Sequence, residues 1–255
     1  MPAPKSERGA ARWRAALVTG CALALSACAP WPSGPSGLGA RGPVAGRAAS
    51  FQLPLAQPGL RVDDRWVWSA RECGESASGD TTVIERTVTH VAGDRAELQQ
   101  VSLDPVTRRP VGAPRIRMVR RSVWHLQPNA PSQGEIRALA FPLSVGKTWD
   151  YEYRLGGREI DAVTAYRYRA HVDGVESIVV PAGRFETLRV THEGRWSRYV
   201  LEQGRLVERS GDVRTTYWYA PAVGSWVRLE IDLRRPDGAR ELGVRQELIE
   251  YRSGR

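Results

Sequence analysis

The chain has 255 residues, with 37 Lys and Arg against 28 Asp and Glu, a formal net charge of +9 and 42% hydrophobic residues. That apolar fraction excludes disorder throughout, and three cysteines exclude a disulfide-dense scaffold. No stretch reaches the roughly 18 apolar residues of a membrane-spanning helix. The basic charge is almost entirely arginine, because Lys5 and Lys147 are the only lysines.

Residues 1–27 read as a signal peptide. Lys5, Arg8, Arg12 and Arg14 stand against one acid, Glu7, and an apolar run from Ala15 to Ala24 follows, broken only by Thr19 and Gly20. This is too short to span a bilayer and fits a secretory apolar core. The run ends in Leu25-Ser26-Ala27-Cys28, which resembles the bacterial lipobox: a Leu, two small residues and a Cys. The resemblance implies cleavage between Ala27 and Cys28, a diacylglycerol thioether on the Cys28 thiol and an acylated new N-terminus, with palmitate as an acyl chain. Small residues at 26 and 27 let the backbone enter a narrow protease site, and only a thiol accepts the diacylglyceryl group. Ala29 stands where an Asp would favour inner-membrane retention in enteric bacteria, so the same resemblance points to the outer membrane, facing the periplasm. Each acyl chain contributes about 0.8 kcal/mol per buried CH₂, so three chains anchor firmly.

The cysteines then divide cleanly. Cys21 leaves with the signal, Cys28 carries lipid, and Cys73 is the odd thiol without an intrachain partner. Losing Lys5, Arg8, Arg12, Arg14 and Glu7 takes three units from +9 and leaves +6. Residues 28–50 hold the lipidated Cys and a Pro/Gly/Ala/Ser-rich linker that averages roughly 25 Å end to end as a flexible coil.

From residue 51 the chain alternates in polarity with period two and is rich in Val, Thr, Tyr and Trp. Strands are predicted over 82–91, 115–126, 148–155, 162–172, 177–180, 184–192, 215–220, 226–233 and 241–251, with a short helix over 133–140. Turn signals fall at Ala92-Gly93-Asp94, Asp173-Gly174, Pro181-Ala182-Gly183, Gln203-Gly204 and Pro236-Asp237-Gly238. Pro181 presets the first turn position, and Gly183 is expected to supply the positive φ of a bulged hairpin.

Leu60-x-Val62-x-x-x-Trp66-x-Trp68 matches Leu143-x-Val145-x-x-x-Trp149-x-Tyr151, and His90-Val91-x-Gly93 matches His171-Val172-x-Gly174 in the same order. These pairs indicate an internal duplication over about 58–126 and 141–251. The expected fold is all-β: an antiparallel curled sheet, sandwich or open barrel built from two duplicated halves, forming one body over 51–255.

Candidate chemistry is sparse. Gly146-Lys147-Thr148 ends like a phosphate-binding loop, but Phe141 stands where the motif needs Gly and a strand follows instead of a helix. Gly74-Glu75-Ser76-Ala77-Ser78 lacks the second Gly of a nucleophile elbow. His90, His125, His171 and His192 show no metal-ligand spacing, and His90 and His171 are expected at equivalent repeat turns. No catalytic residue, cofactor-binding residue or metal ligand is expected, and no helix-turn-helix, zinc knuckle or aromatic ribonucleoprotein motif points to nucleic acid. Trp149, Tyr151, Tyr217, Tyr219 and Trp226 are the candidate ligand or partner surface, because clustered aromatics can line a groove for a lipid or sugar.

In the second half, Phe141-Pro142-Leu143-x-Val145-Gly146-Lys147-x-Trp149-x-Tyr151, Val180-Pro181-Ala182-Gly183-x-Phe185 and Tyr217-Trp218-Tyr219-Ala220-Pro221-x-Val223-Gly224 occur in that order. Residues 140–251 thereby resemble a group of bacterial exported and lipoprotein domains of unknown function, called TapB-like. Ser225-Trp226 departs from the apolar pair more usual after that Val-Gly. The resemblance implies a β-rich envelope protein and no activity. The expected role is non-catalytic binding or envelope support by a lipid-anchored protein, with the membrane reached through the N-terminal lipid and an envelope protein, lipid or glycan as partner. A carrier of a hydrophobic ligand is the first alternative, and an enzyme acting on envelope glycans is the second.

Overall fold

The structure, a computed structural model, describes residues 51–74, 81–126, 132–156 and 163–254. The signal peptide, Leu25, Ser26, Ala27, Cys28 and the linker lie outside the described residues.

Among the described residues, twelve strands form one antiparallel sheet: β1 (Arg65–Cys73), β2 (Thr81–Ala92), β3 (Arg95–Leu103), β4 (Pro110–Arg120), β5 (His125–Leu126), β6 (Ser132–Gly134), β7 (Thr148–Leu155), β8 (Thr164–Val180), β9 (Gly183–Glu202), β10 (Arg205–Ala220), β11 (Ser225–Arg234) and β12 (Arg240–Arg252). Their order is β5-β4-β3-β2-β1-β12-β11-β10-β9-β8-β7-β6. Every neighbour in that order follows in sequence except one pair, β1 with β12. The two edges, β5 and β6, do not pair with each other, so the all-β fold is an open sheet and not a closed barrel.

The sheet curls. The Ala182 amide, in the turn after β8, donates to the Leu248 carbonyl of β12 at 3.0 Å although three strands separate them in the sheet. At the edges, the Leu139 and Phe141 amides donate to the carbonyls of Val123 and Ser122, and Arg120 pairs with Glu135. The segment after β6 therefore stitches the second half to the far edge of the first.

Two glycines permit tight coiling. A Cβ on Gly194 of β9 would lie 1.9 Å from the Arg167 carbonyl oxygen, and one on Gly211 of β10 would lie 1.8 Å from that of Arg234. Backbones approach there at a distance that only glycine tolerates.

Two turns of the expected repeats match in the backbone. Asp63 and Gly146, both with positive φ (68° and 85°), occupy matching turns. Asp63 N–H donates to Val88 O and Gly146 N–H to Val172 O, each at 2.9 Å. Val88 N–H and Val172 N–H return bonds to Asp64 and Lys147, again at 2.9 Å. A β-bulge follows each valine, between Val88 and His90 in β2 and between Val172 and Gly174 in β8. The repeat thus runs through Val88 and Val172, which corrects the His-Val-x-Gly match. Gly93 sits in the β2–β3 turn at φ 55°, whereas Gly174 lies inside β8. The bulge absorbs the extra residue, so the described parts of the two expected strands merge into β8, Thr164–Val180.

Other expectations also shift. No helix forms over the described part of 133–140; Gly134, at φ 86°, closes β6 against Tyr153 of β7. Pro181-Ala182 forms a two-residue loop with Val180 opposite Gly183, so the hairpin has no bulge at the turn, although Gly183 does adopt φ 130°.

Gly194→Ala is expected to lower unfolding free energy by about 2–3 kcal/mol through overpacking. Gly174→Ala, which meets nothing within 4 Å, should change it by less than ~0.5 kcal/mol. Urea unfolding of both variants tests this; equal effects would contradict the close approach at Gly194.

Candidate functional site

Alternation along β9 turns Leu188, Val190, His192, Gly194 and Trp196 inward, opposite Tyr219, Tyr217, Thr215, Val213 and Gly211 of β10. The same register brings Ala170, Tyr168 and Tyr166 of β8 and Trp149, Tyr151 and Tyr153 of β7 onto that face. From β1, Trp66 and Trp68 reach it fully buried.

These rings form one continuous contact path. Trp66 stacks on Trp68 at 6.1 Å, Trp68 meets Trp226 at 6.0 Å, Trp226 meets Tyr217 at 5.6 Å, and Tyr217 meets His192 at 5.0 Å. His192 then meets Tyr151 edge-on at 5.6 Å, and Tyr151, Tyr153, Tyr166 and Tyr168 stack on one another between 4.9 and 6.2 Å. Indole N–H groups are satisfied as burial requires. Trp66 donates to Val223 O at 2.8 Å, Trp226 to Gln246 Oε1 at 3.0 Å and Trp149 to Arg137 O at 2.9 Å.

The five aromatics singled out from sequence do come together, but inside the curl. Tyr219 and Trp226 are buried, and Trp149, Tyr151 and Tyr217 are half-buried. They line the sheet's interior, with Trp149, Tyr151 and Tyr217 only partly covered.

The residue that sequence reasoning left unassigned is His192. It is fully buried, its Nδ1 lies 2.6 Å from the Tyr151 hydroxyl, and its Nε2 makes no hydrogen bond of good geometry. Burial drives its pKa down to about 3, against smaller opposing contributions from the Ala138 carbonyl and Asp173. Burial likewise raises the Tyr151 phenol well above its ordinary value. The hydroxyl therefore donates to a neutral imidazole, and Nε2 carries the ring proton toward Ala138. The one sequence signal was its place in the inward alternation of β9.

His90 is exposed on β2. On the opposite face, His171 Nδ1 lies 3.0 Å from Asp173, which also accepts from Arg189 at 2.8 Å and Thr191 at 2.6 Å. Burial opposes ionisation of Asp173, but these three partners outweigh it and hold the carboxyl below its usual range. Among the described residues, no group of three or more His, Cys, Asp or Glu could hold a metal ion.

A hollow of about 1170 Å³ lies over β7–β10. Its lining combines charged residues that point outward in register, including Asp150, Glu152, Arg167 and Arg195, with inward aromatics, Tyr151, Tyr153, Tyr166, Tyr168 and Trp196. Asp150–Arg169, Glu152–Arg167 and Arg195–Asp212 pair at 3.0 to 3.4 Å with side chains 66–83% exposed. Such solvated pairs contribute about 0–1 kcal/mol each.

No family model and no curated protein matches the chain, so the TapB-like resemblance of residues 140–251 stands on its motifs alone. Among solved structures, the chain is similar to a Bacteroides fragilis protein described as exported with a YmcC-like fold. That match has 11% identity, covers 78% of this chain and 100% of the other, and has a TM-score of 0.50. A Parabacteroides distasonis protein described as a lipoprotein shows 13% identity over 79% of this chain and 100% of its own, with a TM-score of 0.48. The hypothetical lipoprotein YmcC of Escherichia coli shows 10% identity over 73% of this chain and 84% of its own, with a TM-score of 0.35. The first likeness defines the class of fold: an open, curled antiparallel sheet of YmcC-like type.

Because the unfolded histidine titrates near 6.5 and folded His192 near 3, only the unfolded chain gains this proton as pH falls through that window. Stability should then drop by up to about 1.4 kcal/mol per pH unit on account of His192. Between pH 7 and 5 the wild type should lose about 2 kcal/mol more than His192→Gln, measured as urea midpoints. Identical pH profiles would contradict a neutral buried imidazole.

Proposed function

We propose that this chain is a lipid-anchored protein of the bacterial cell envelope, carried on the outer membrane, with its sheet held in the periplasm on the 28–50 tether. Its role is binding or envelope support and not catalysis. The observation that carries the reading is Leu25-Ser26-Ala27-Cys28 directly after a basic segment and a short apolar run. The description of the Bacteroides fragilis fold neighbour as exported accords with it.

The body supports a binding role in two ways. The interior of the curl is occupied by the chain's own rings from Trp66 to Tyr166, which favours contact through the outer face and edges over enclosure of a large apolar cargo. The acids of the hollow stand opposite arginines as solvated ladders, an arrangement suited to surface contacts more than to a general acid and base with separated pKa values. A partner would be an envelope protein, lipid or glycan, and the anchor itself engages the membrane.

Mass spectrometry of the N-terminal peptide tests this reading. The mature chain should begin at Cys28 bearing diacylglycerol and an N-acyl chain, and Cys28→Ser should abolish the lipid mass. A mature chain that starts elsewhere, or an unmodified Cys28, would overturn it.

A further inference from the structure

The hydrogen bond between Tyr151 and His192 is more than packing requires. The Tyr151 phenol donates to His192 Nδ1 at 2.6 Å, and His192 is fully buried. Its inward neighbours on β9, Leu188 and Val190, are equally buried and apolar. An aliphatic residue at 192 and a Phe at 151 would therefore fill the same interior with no polar groups to satisfy. Tyr151 also lies at the junction of two sets of rings. On one side it stacks on Tyr168 at 5.2 Å and on Tyr153 at 6.1 Å, and Tyr153 stacks on the half-buried Tyr166 at 4.9 Å. On the other side His192, Tyr217, Trp226, Trp68 and Trp66 follow in contact as far as the half-buried Tyr251, 6.0 Å from Trp66.

Rings in contact pass an electron readily, and the vacancy comes to rest where a proton can leave. A phenol or indole that has lost an electron is a strong acid. Trp66, Trp68 and Trp226 donate to Val223 O, Trp226 O and Gln246 Oε1, and the Tyr168 hydroxyl meets that of Thr215 at 3.3 Å. Oxygens of these kinds are far weaker bases than an imidazole nitrogen. At Tyr151 the acceptor is the lone pair of a neutral imidazole. Burial opposes the imidazolium, so the proton returns to the phenol once the electron is restored.

We propose that Tyr151 and His192 form a proton-coupled redox site that takes up one-electron oxidising equivalents from the ring path. A one-electron oxidant, such as the carbonate radical anion or a ruthenium(III) polypyridyl, removes one electron from the path and is reduced by it. The Tyr151 O–H bond breaks, the proton binds His192 Nδ1, and a neutral tyrosyl radical stands beside an imidazolium. A one-electron reductant of the ascorbate class, itself oxidised to its radical, returns the electron through the half-buried Tyr153 or Tyr166. The proton then goes back from Nδ1 to the Tyr151 oxygen. The pair thereby draws the vacancy away from Trp68 and Trp226, whose indoles are degraded when a radical on them meets dioxygen. The site does not depend on the lipid anchor.

The test uses the full chain purified in detergent, mixed with ruthenium tris-bipyridine and persulfate, flashed with light and frozen for electron paramagnetic resonance. A radical enclosed at Tyr151 cannot couple with a second chain and should outlast radicals on exposed tyrosines, so the wild type should give a long-lived neutral tyrosyl signal. Tyr151→Phe should lose that signal and accumulate more oxidised Trp68 and Trp226, read by peptide mass spectrometry. Tyr153→Phe removes a neighbouring phenol of the same stack and should keep the signal. His192→Leu, which leaves the phenol and removes its base, should lose it as Tyr151→Phe does. Tyr151→Phe preserves ring shape, so its urea midpoint separates loss of the radical from loss of the fold, and it carries the test if His192→Leu does not fold. No long-lived tyrosyl signal in the wild type, or an undiminished one in Tyr151→Phe or in folded His192→Leu, overturns the proposal.

Discussion

The aromatic path between Trp68 and Tyr151 is the contact on which the rest of this sheet depends. These two residues occupy equivalent positions of the two matching sequence patterns, and Trp226, Tyr217 and His192 connect them through the interior. Each half alone would expose one face of a curved sheet, because a few strands bury too little apolar surface to stand independently. Turning both inward faces onto a shared set of rings supplies the missing burial. The β1–β12 pairing supplies the backbone continuity, joining the first and last strands of the sequence within the sheet.

The same enclosure determines the local chemistry. Buried among rings, His192 stays neutral and the surrounding phenols stay protonated, so this ring cluster is polar but uncharged. The first half's interior keeps its charge, since an arginine retains its proton even when burial lowers its pKa. Further along β12, Glu241 is 1% exposed and pairs with Arg198. Burial there is matched by an opposite charge, in contrast to Arg86.

Much of this was legible in the sequence, for identifiable reasons. The spacing from Leu60 to Trp68 and from Leu143 to Tyr151 reappears as matching turns and strands, because a positive φ, a buried leucine and an inward indole are each tied to one position. β3 was missed: Arg95-Ala-Glu-Leu-Gln-Gln-Val-Ser-Leu103 is rich in helix-favouring residues, and only its pairing with β2 and β4 makes it a strand. Asp173-Gly174 carries a turn signal that a bulge instead accommodates. Inward placement of Arg86 and His192 follows from strand register, which residue type alone argues against. The aromatics were correctly grouped, yet their burial depends on the curl, and curl comes from close approaches such as those at Gly194 and Gly211.

The unity of the two halves is tested most directly by hydrogen exchange on Trp226→Leu, which interrupts the path midway. If the shared interior holds the sheet together, amides of β1–β4 and of β7–β10 should lose protection together and to a similar extent. Loss confined to one set of strands, with the other keeping wild-type protection, would contradict the account.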